Sequence, residues 1–254
     1  MLPTPTTSHV SFDNIYEPAE DSYLLLDTLS SASETAFLTQ CFPQDSPAPL
    51  VTEIGVGSGV VLAFAAANSS AIFGRSDVAF LGTDVNPLAS KAAAQTVKTE
   101  VHDKTTARPV VLRTIVSDLT SAIRDQEIDV LVFNPPYVPS PSLPRHLEDF
   151  DAGQTLDSHA RFERDSKLLE LSYAGGVDGM ETTDRLLEQL PRTLSERGVA
   201  YNLLCAQNKP EEVKARIRSW PGGWSAETVG SSGKKAGWER LCIIRVWRSA
   251  SGAV

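Results

Sequence analysis

The chain has 254 residues, of which 41% are hydrophobic and 22% are charged, and its formal net charge is −9. This length and composition are typical of one globular α/β domain and exclude a chain that is wholly disordered or embedded in a membrane. The negative charge disfavours direct binding to nucleic acid, because such binding depends on clustered Lys and Arg that neutralise phosphates.

Cysteine usage and the first residues indicate the compartment. Cys41, Cys205 and Cys242 are far apart and form no CxxC pair, so neither a disulfide framework nor a zinc site is predicted. MLPTPTTSHV lacks the basic and apolar regions of a secretory signal, and no apolar run is long enough to span a membrane. We therefore expect a cytoplasmic protein, with the nucleus as an alternative location.

The elements follow in chain order. Residues 1–15, rich in Thr, Ser and Pro, predict a flexible tail, 16–248 the folded domain, and 249–254 a second tail. YEPAEDSYLLLDTLSS predicts a helix that begins with acidic residues. We then predict strands at LVTEIG, VAFLGTDV, PVVLRTIVS, DVLVFN, GVAYNLLC and ERLCIIRVW, with helices near 59–68, 87–101, 180–195 and 210–218.

Alternating strands and helices predict an α/β fold with a largely parallel sheet and helices on both of its faces. Because no long helix follows Gly222, we expect an antiparallel hairpin at the end of the domain. Residues 138–179 are predicted to be irregular, and a loop of this length is usually functional or mobile. His146 and His159 lie there at irregular spacing, which favours a solvated lid over a metal site.

Three predicted strand ends carry residues that suit a nucleoside ligand. EIGVGSGVV places Gly55, Gly57 and Gly59 between a strand and a helix, as in dinucleotide and S-adenosylmethionine binders, although a turn without ligand has the same sequence. Asp84 ends the next strand, where it can accept from a ribose diol or cap a helix. Asp118 follows the third strand and can accept the exocyclic amine of an adenine, or be an ordinary turn residue.

The fourth strand ends in VFNPPYVP. A following proline holds Asn134 extended, and Pro135 and Pro136 have carbonyl acceptors but no N–H group. The Asn134 side-chain oxygen and a proline carbonyl can accept both hydrogens of one NH2 group, while Tyr137 stacks on the group that carries it. This arrangement suits methylation of a weakly nucleophilic nitrogen, since two acceptors align it and favour the positive charge that develops. The alternative is a strand that ends at prolines, with Tyr137 in the core.

Together these motifs resemble the class I S-adenosylmethionine-dependent methyltransferases, and more narrowly the eukaryotic branch of the HemK family, the glutamine N5-methyltransferases that modify termination factors. The resemblance rests on YEPAEDSYLLLD, EIGVGSGVV, GTDVNP, SDL, LVFNPPYV and AGGVDG. It implies a Rossmann-like seven-stranded sheet, S-adenosyl-L-methionine as cofactor and S-adenosyl-L-homocysteine as product.

The resemblance also implies two sets of site residues. The cofactor would be surrounded by Ser22, Glu53, Gly55, Gly57, Gly59, Asp84, Asp118, Leu119 and Asn134. The substrate amide would be held by Asn134, Pro135, Pro136 and Tyr137, of which Asn134, Pro135 and Tyr137 would be catalytic, with Tyr16, Glu17 and Pro18 at the border of the pocket.

The implied substrate is the glutamine of the GGQ motif in a class 1 termination factor. Bacterial members carry a helical N-terminal domain, whereas the glycine loop here already begins at Gly55. The eukaryotic branch instead resembles a catalytic subunit of a heterodimer with a small zinc-binding activator shared among methyltransferases. That partner would extend the sheet beside PVVLRTIVS; the alternative is that the chain's own tail covers this edge.

Other functions remain open at this stage. The same cofactor could serve methylation of adenine N6 in nucleic acid or of a protein lysine. A non-catalytic scaffold would be expected to lose the glycine loop, Asp84 or Asn134, and all are present. An NAD-dependent dehydrogenase could use the glycine loop, but hydride transfer gives no role to NPPY.

Overall fold

The computed structural model describes residues 2–102, 109–144, 157–233 and 240–248. Its strands are β1 (Leu50–Ile54), β2 (Ala79–Asp84), β3 (Val110–Val116), β4 (Ile128–Phe133), β5 (Leu194–Cys205), β6 (Trp224–Ser231) and β7 (Leu241–Arg248). Its α-helices are α1 (Glu20–Leu29), α2 (Ala32–Cys41), α3 (Val60–Ala67), α4 (Ser69–Phe73), α5 (Pro87–His102), α6 (Ser158–Tyr173), α7 (Glu181–Thr193) and α8 (Pro210–Arg218).

The strands form one sheet in the order β3-β2-β1-β4-β5-β7-β6. Strands β1 to β5 run parallel to one another, while β7 runs antiparallel to both β5 and β6. The predicted parallel sheet and the antiparallel hairpin are therefore confirmed. The strand β6 was not predicted, because an edge strand that buries only Trp224 and Ala226 has too few apolar residues to stand out.

The central strand β4 explains why helices cover both faces of the sheet. All six of its residues are buried, and successive side chains of a strand point to opposite faces. Val130 and Val132 pack in a cluster with side chains of α1 to α5, whereas Leu131 and Phe133 pack in a second cluster with side chains of α7 and α8. Each large apolar side chain buried in this way contributes about 1.5–3 kcal/mol. The sheet is thus a rigid platform for the loops at its carboxyl edge.

A buried ion pair joins α2 to the sheet. Arg245 Nη1 of β7 donates to both carboxylate oxygens of Glu34, at 2.9 and 2.8 Å, and the Tyr201 hydroxyl donates to Glu34 Oε2 at 2.8 Å. The guanidinium of Arg245 also lies over the ring of Phe37, 3.7 Å from its centroid. A charged pair without water needs such hydrogen bonds to offset its desolvation.

The N-terminal segment packs onto α5. Val10 and Ile15 are buried with Ala89, and the Thr6 N–H donates to Glu100 Oε1 at 3.0 Å. This packing differs from the flexible tail predicted for residues 1–15. The few apolar residues of this polar segment, among them Phe12 in the same cluster, form no helical or strand period, so the sequence alone did not predict their packing against α5.

The segment predicted to be irregular, residues 138–179, contains the helix α6. Asp157 caps it by accepting from the Ala160 N–H at 2.8 Å, and Leu168 is its buried apolar residue. One buried position gives no helical stripe, which explains why the helix was not predicted. Residues 145–156, with His146, and the predicted tail 249–254 lie outside the described residues. No helix in the described part of the chain is both long and apolar enough to cross a membrane.

Candidate active site

A pocket opens at the carboxyl edge of the sheet, where β1 to β4 end. Ligands of open α/β sheets bind at this edge. Most of the predicted site residues line the pocket together: Tyr16, Ser22, Glu53, Gly55, Gly57, Asp84, Asp118, Leu119, Asn134, Pro135, Pro136 and Tyr137. The fold therefore brings together residues that are more than 100 positions apart in sequence.

Three predicted site residues do not line the pocket. Glu17 is exposed and Pro18 is half-buried beside it. Gly59 has φ +80°, and a Cβ atom there would lie 2.6 Å from the Cα of Ala93 in α5. Its role in the structure is thus to let α3 and α5 approach each other closely.

Asp84 is fixed against the glycine loop. Its Oδ2 accepts from the Gly57 N–H at 2.9 Å, and its Oδ1 accepts from the Asn86 N–H at 2.8 Å. Burial raises the pKa of Asp84 to about 6, and these backbone hydrogen bonds oppose the rise. A carboxylate has about four acceptor positions, and the backbone N–H groups of Asn86, Gly57 and Val85 do not use all of them, so Asp84 can still accept from a ribose diol.

Glu53 is a buried acid with an unused acceptor. Its Oε2 has no hydrogen-bond partner among the described residues. Burial raises the pKa of Glu53 well above its usual range, a backbone N–H of Leu62 opposes this, and nearby Asp84 raises it further. A buried acid of this kind suits a ligand that brings a positive charge, such as the ammonium group of an amino acid.

Asn134 presents the second unused acceptor. It follows the last residue of β4, and its Oδ1 is buried without a hydrogen-bond partner in the described part of the chain. Leaving a buried acceptor unpaired is unfavourable. A ligand that donates from an NH2 group would satisfy it, which is the chemistry predicted for NPPY.

The backbone of the NPPY segment is held by the loop that contains AGGVDG. The Gly175 N–H donates to the Val138 carbonyl at 2.8 Å, and Asn208 Nδ2 donates to the Tyr137 carbonyl at 3.2 Å. A Cβ atom on Gly179, whose φ is +68°, would lie 2.0 Å from the same Tyr137 carbonyl oxygen. The glycine therefore allows the loop to press directly on the segment that carries Asn134.

Several pocket residues were missed by sequence analysis. Asn14 and Ile15 reach the pocket from the N-terminal segment, and Arg185 reaches it from α7. The Arg185 guanidinium donates to Asp118 Oδ2. No sequence signal connects these residues to the motifs, since Arg185 lies on a polar helix 67 residues after Asp118.

Asn86 links the N-terminal segment to the ribose side of the pocket. Its Nδ2 donates to the Asn14 carbonyl at 2.8 Å, while its Oδ1 accepts from the Leu88 N–H at 2.9 Å at the start of α5. In the sequence, Asn86 could be recognised only as a residue that caps a helix, because it directly precedes Pro87.

The lining also indicates which chemistry the pocket supports. Among the described residues that line it, there is no Lys, His or Cys. Within the described ranges, no three His, Cys, Asp or Glu side chains are grouped as metal ligands, and exposed His159 lies 3.5 Å from Glu163. The pocket thus offers acceptors and apolar walls, which suits a reaction whose electrophile is supplied by a cofactor.

Comparison with known proteins agrees with this geometry. No family model matches the chain. It is 33% identical over 250 residues to human methyltransferase HEMK2, with 97% of each chain covered. The chain belongs to the HEMK2 family of methyltransferases. It is also 31% identical over 253 residues to the eRF1 methyltransferase catalytic subunit mtq2 of Schizosaccharomyces pombe, covering 98% of this chain and 96% of the relative.

A further relative and a solved structure are also similar to this HEMK2 family member. A protein of Methanocaldococcus jannaschii, named for protein N5-glutamine methyltransferase activity, is 30% identical over 234 residues, with 92% of each chain covered. A crystal structure from Listeria monocytogenes, assigned to the class I S-adenosylmethionine-dependent methyltransferases, has a TM-score of 0.50 at 13% identity, covering 94% of this chain and 65% of that one. The predicted fold and the resemblance to the HemK family are confirmed.

Proposed function

We propose that this protein transfers the methyl group of S-adenosylmethionine to the side-chain nitrogen of the glutamine in the GGQ motif of a class 1 release factor. The observation that carries the proposal is the buried, unpaired Oδ1 of Asn134 at the end of β4. The names of two relatives, an eRF1 methyltransferase subunit and an N5-glutamine methyltransferase, support it.

The pocket fits the cofactor. The sulfonium of S-adenosylmethionine supplies the methyl electrophile. Asp84 would accept from its ribose diol, Asp118 from its adenine amine and Glu53 from its ammonium group. Of these carboxylates, Glu53 has a buried oxygen without a described partner. This oxygen can accept a hydrogen bond from a cationic donor such as the ammonium group.

The NPPY segment would orient the substrate amide. Asn134 Oδ1 and the Pro135 carbonyl would each accept one amide hydrogen, which directs the nitrogen lone pair away from them. These fixed acceptors would also favour the positive charge that grows on the nitrogen during transfer, because they need no reorganisation at that moment. Tyr137 lines the same pocket and would pack against the planar amide.

Two observations favour an amide over the other acceptors. A lysine ammonium carries three hydrogens and must lose one before it can react, whereas a neutral NH2 group has two hydrogens for the two acceptors of the NPPY segment. The net charge of −9 disfavours nucleic acid and therefore adenine N6. These alternatives become arms of the test.

The test is a competition assay. The protein, with its partner subunit if required, is incubated with labelled S-adenosylmethionine and a mixture of release factor, histone tails and oligonucleotide, and methyl groups are located by mass spectrometry. We expect the label on the GGQ glutamine, and Asn134→Ala should lower kcat by about 100-fold or more. Label on lysine or adenine, or full activity of Asn134→Ala, would refute the proposal. Phe162→Ala, on an exposed side chain outside the pocket lining, is the control for handling and folding.

We further propose that a small zinc-binding activator pairs with the edge of β3. Among the described strands, β3 pairs with β2 alone. Val110, Leu112 and Val116 are 55%, 52% and 58% exposed along it. An apolar, unpaired edge of this kind promotes aggregation unless it is covered.

Co-expression tests the partner. We expect Leu112→Glu to reduce recovery of the partner with the chain, whereas Phe162→Glu, which alters an equally apolar exposed site on α6, should not. Zinc measured in the purified complex but not in the isolated chain would support a zinc-binding partner. Equal recovery with both variants would exclude the β3 edge as the interface.

A further inference from the structure

The helix α7 forms hydrogen bonds with the turn that carries Asp118. Arg185 and Gln189 are four positions apart on α7 and so lie on the same side of the helix. Arg185 donates to Asp118 Oδ2, and Gln189 Oε1 accepts from the N–H of Thr120, at 3.3 Å, and from its hydroxyl. Two side chains of one helix thus hold the residues on either side of Leu119.

Leu119, between these two contacts, has a conformation that a non-glycine residue rarely adopts. Its φ is +49° and its side chain is 5% exposed. Its carbonyl accepts from the Thr83 hydroxyl of β2 at 3.1 Å. A left-handed leucine persists only where its surroundings fix it, so this turn is held in one conformation by α7 on one side and β2 on the other.

The geometry points to Arg185 as a positioning residue that sets the base specificity of the cofactor pocket. Because Arg185 occupies Oδ2, the Asp118 carboxylate is held with Oδ1 left to accept the exocyclic amine of an adenine. Among the described residues, no donor is paired with Oδ1. An ionised carboxylate only accepts hydrogen bonds, so the pocket should favour a 6-aminopurine over a 6-oxopurine. This inference rests on the proposed use of S-adenosylmethionine.

Orientation, rather than stability, is the effect expected from this ion pair. The side chains of Asp118 and Arg185 are 42% and 40% exposed, and exposed pairs contribute little to folding. Without Arg185, the Asp118 side chain would be free to rotate towards water. Loss of Arg185 should therefore change ligand selectivity with little change in melting temperature.

Calorimetry with two product analogues tests the inference. The wild-type full chain, with its partner if required, is titrated with S-adenosylhomocysteine and with S-inosylhomocysteine, which has an oxygen in place of the amine and a hydrogen on N1. We expect a preference for S-adenosylhomocysteine of roughly 10- to 100-fold, the usual effect of a hydrogen bond to a charged group. Arg185→Met, which keeps the aliphatic stem, should reduce the preference to about threefold or less, and Arg185→Lys should restore part of it.

Three comparisons make the result decisive. Asp118→Asn offers either a carbonyl or an NH2 group, so it should bind both ligands about equally. Arg192→Ala removes an exposed ion pair of the same helix, 3.3 Å from Asp125, and should keep the wild-type preference. An unchanged preference in Arg185→Met, or an equal loss of affinity for both ligands, would overturn the inference. Arg185→Ala provides the same comparison if the Met variant does not fold.

The proposed function and this inference fail in different ways. If the wild-type protein binds neither analogue, the proposed cofactor is wrong, and the role of Arg185 is refuted with it. If the wild-type protein binds both analogues equally, the cofactor assignment stands and only the base specificity is refuted.

Discussion

Replacing Gly179 by alanine should uncouple cofactor binding from methyl transfer. The new Cβ atom would lie 2.0 Å from the Tyr137 carbonyl oxygen, whereas ordinary contacts begin at 3.4 Å. The NPPY segment or the loop must therefore move by about 1.4 Å, the difference between these two distances. A displacement of about 1 Å at a catalytic group can lower the rate roughly 100-fold, so we expect kcat to fall by about that factor. The Kd for S-adenosylhomocysteine should stay within about threefold, since the glycine loop and Asp84 are untouched.

Gly233→Ala is the matched control for this prediction. Its φ of +70° equals that of Gly179 within 2°, but a Cβ atom there would have no neighbour within 4 Å among the described residues. Both variants bear the backbone strain of a left-handed alanine, about 1–2 kcal/mol, and only Gly179→Ala adds the displacement. Steady-state kinetics on a release factor measures kcat, calorimetry measures the Kd for S-adenosylhomocysteine, and thermal melting measures the loss of stability from backbone strain. Wild-type kcat in Gly179→Ala, or equal losses in both variants, would refute the proposed clamp on NPPY.

Two further predictions concern buried acids. Because the pKa of Asp84 is raised to about 6 and the ribose needs its carboxylate form, the Kd for S-adenosylhomocysteine should rise by up to tenfold per pH unit below about 6. Calorimetry from pH 5 to 8 should show that the Kd of Asp84→Asn depends less on pH than the Kd of the wild type. An equal pH dependence in both proteins would contradict this role of Asp84. Arg245→Met leaves buried Glu34 with the Tyr201 hydroxyl but without its cationic partner, so urea denaturation should show a loss of about 3–5 kcal/mol. Glu34→Gln combined with Arg245→Met should recover part of it, and a double variant as unstable as Arg245→Met would count against the pair.

The sheet could be predicted because its strands are buried on both faces. A run such as Ile128–Phe133 is apolar at almost every position, which is typical of a central parallel strand. The edge strand β6 and the helix α6 were missed because few of their residues are buried, so their sequences carry little hydrophobic periodicity. Burial, rather than position in the chain, determined which elements could be recognised.

The site could be predicted where its residues follow strands directly. Asp84, Asp118 and Asn134 come at or just after strand ends, and parallel strands bring those ends to one edge. Arg185 and Asn14 could not be predicted, because they reach the pocket by tertiary packing of a helix and of the N-terminal segment. Gly59 has a glycine-loop sequence but packs against a helix, a distinction that depends on three-dimensional proximity.

The placement of β7 between β5 and β6 constrains how the protein can fold during synthesis. The 12-residue strand β5 pairs with β4 on one edge, and its other edge stays open until β7 is made. Until then β6, whose neighbour in the sheet is β7, has no strand to pair with. Translation from Cys205 to Arg248 takes about 2–9 s at about 5–20 residues per second. During that interval a long apolar strand edge is open to other chains, so expression under slowed translation should increase aggregation unless a chaperone covers it.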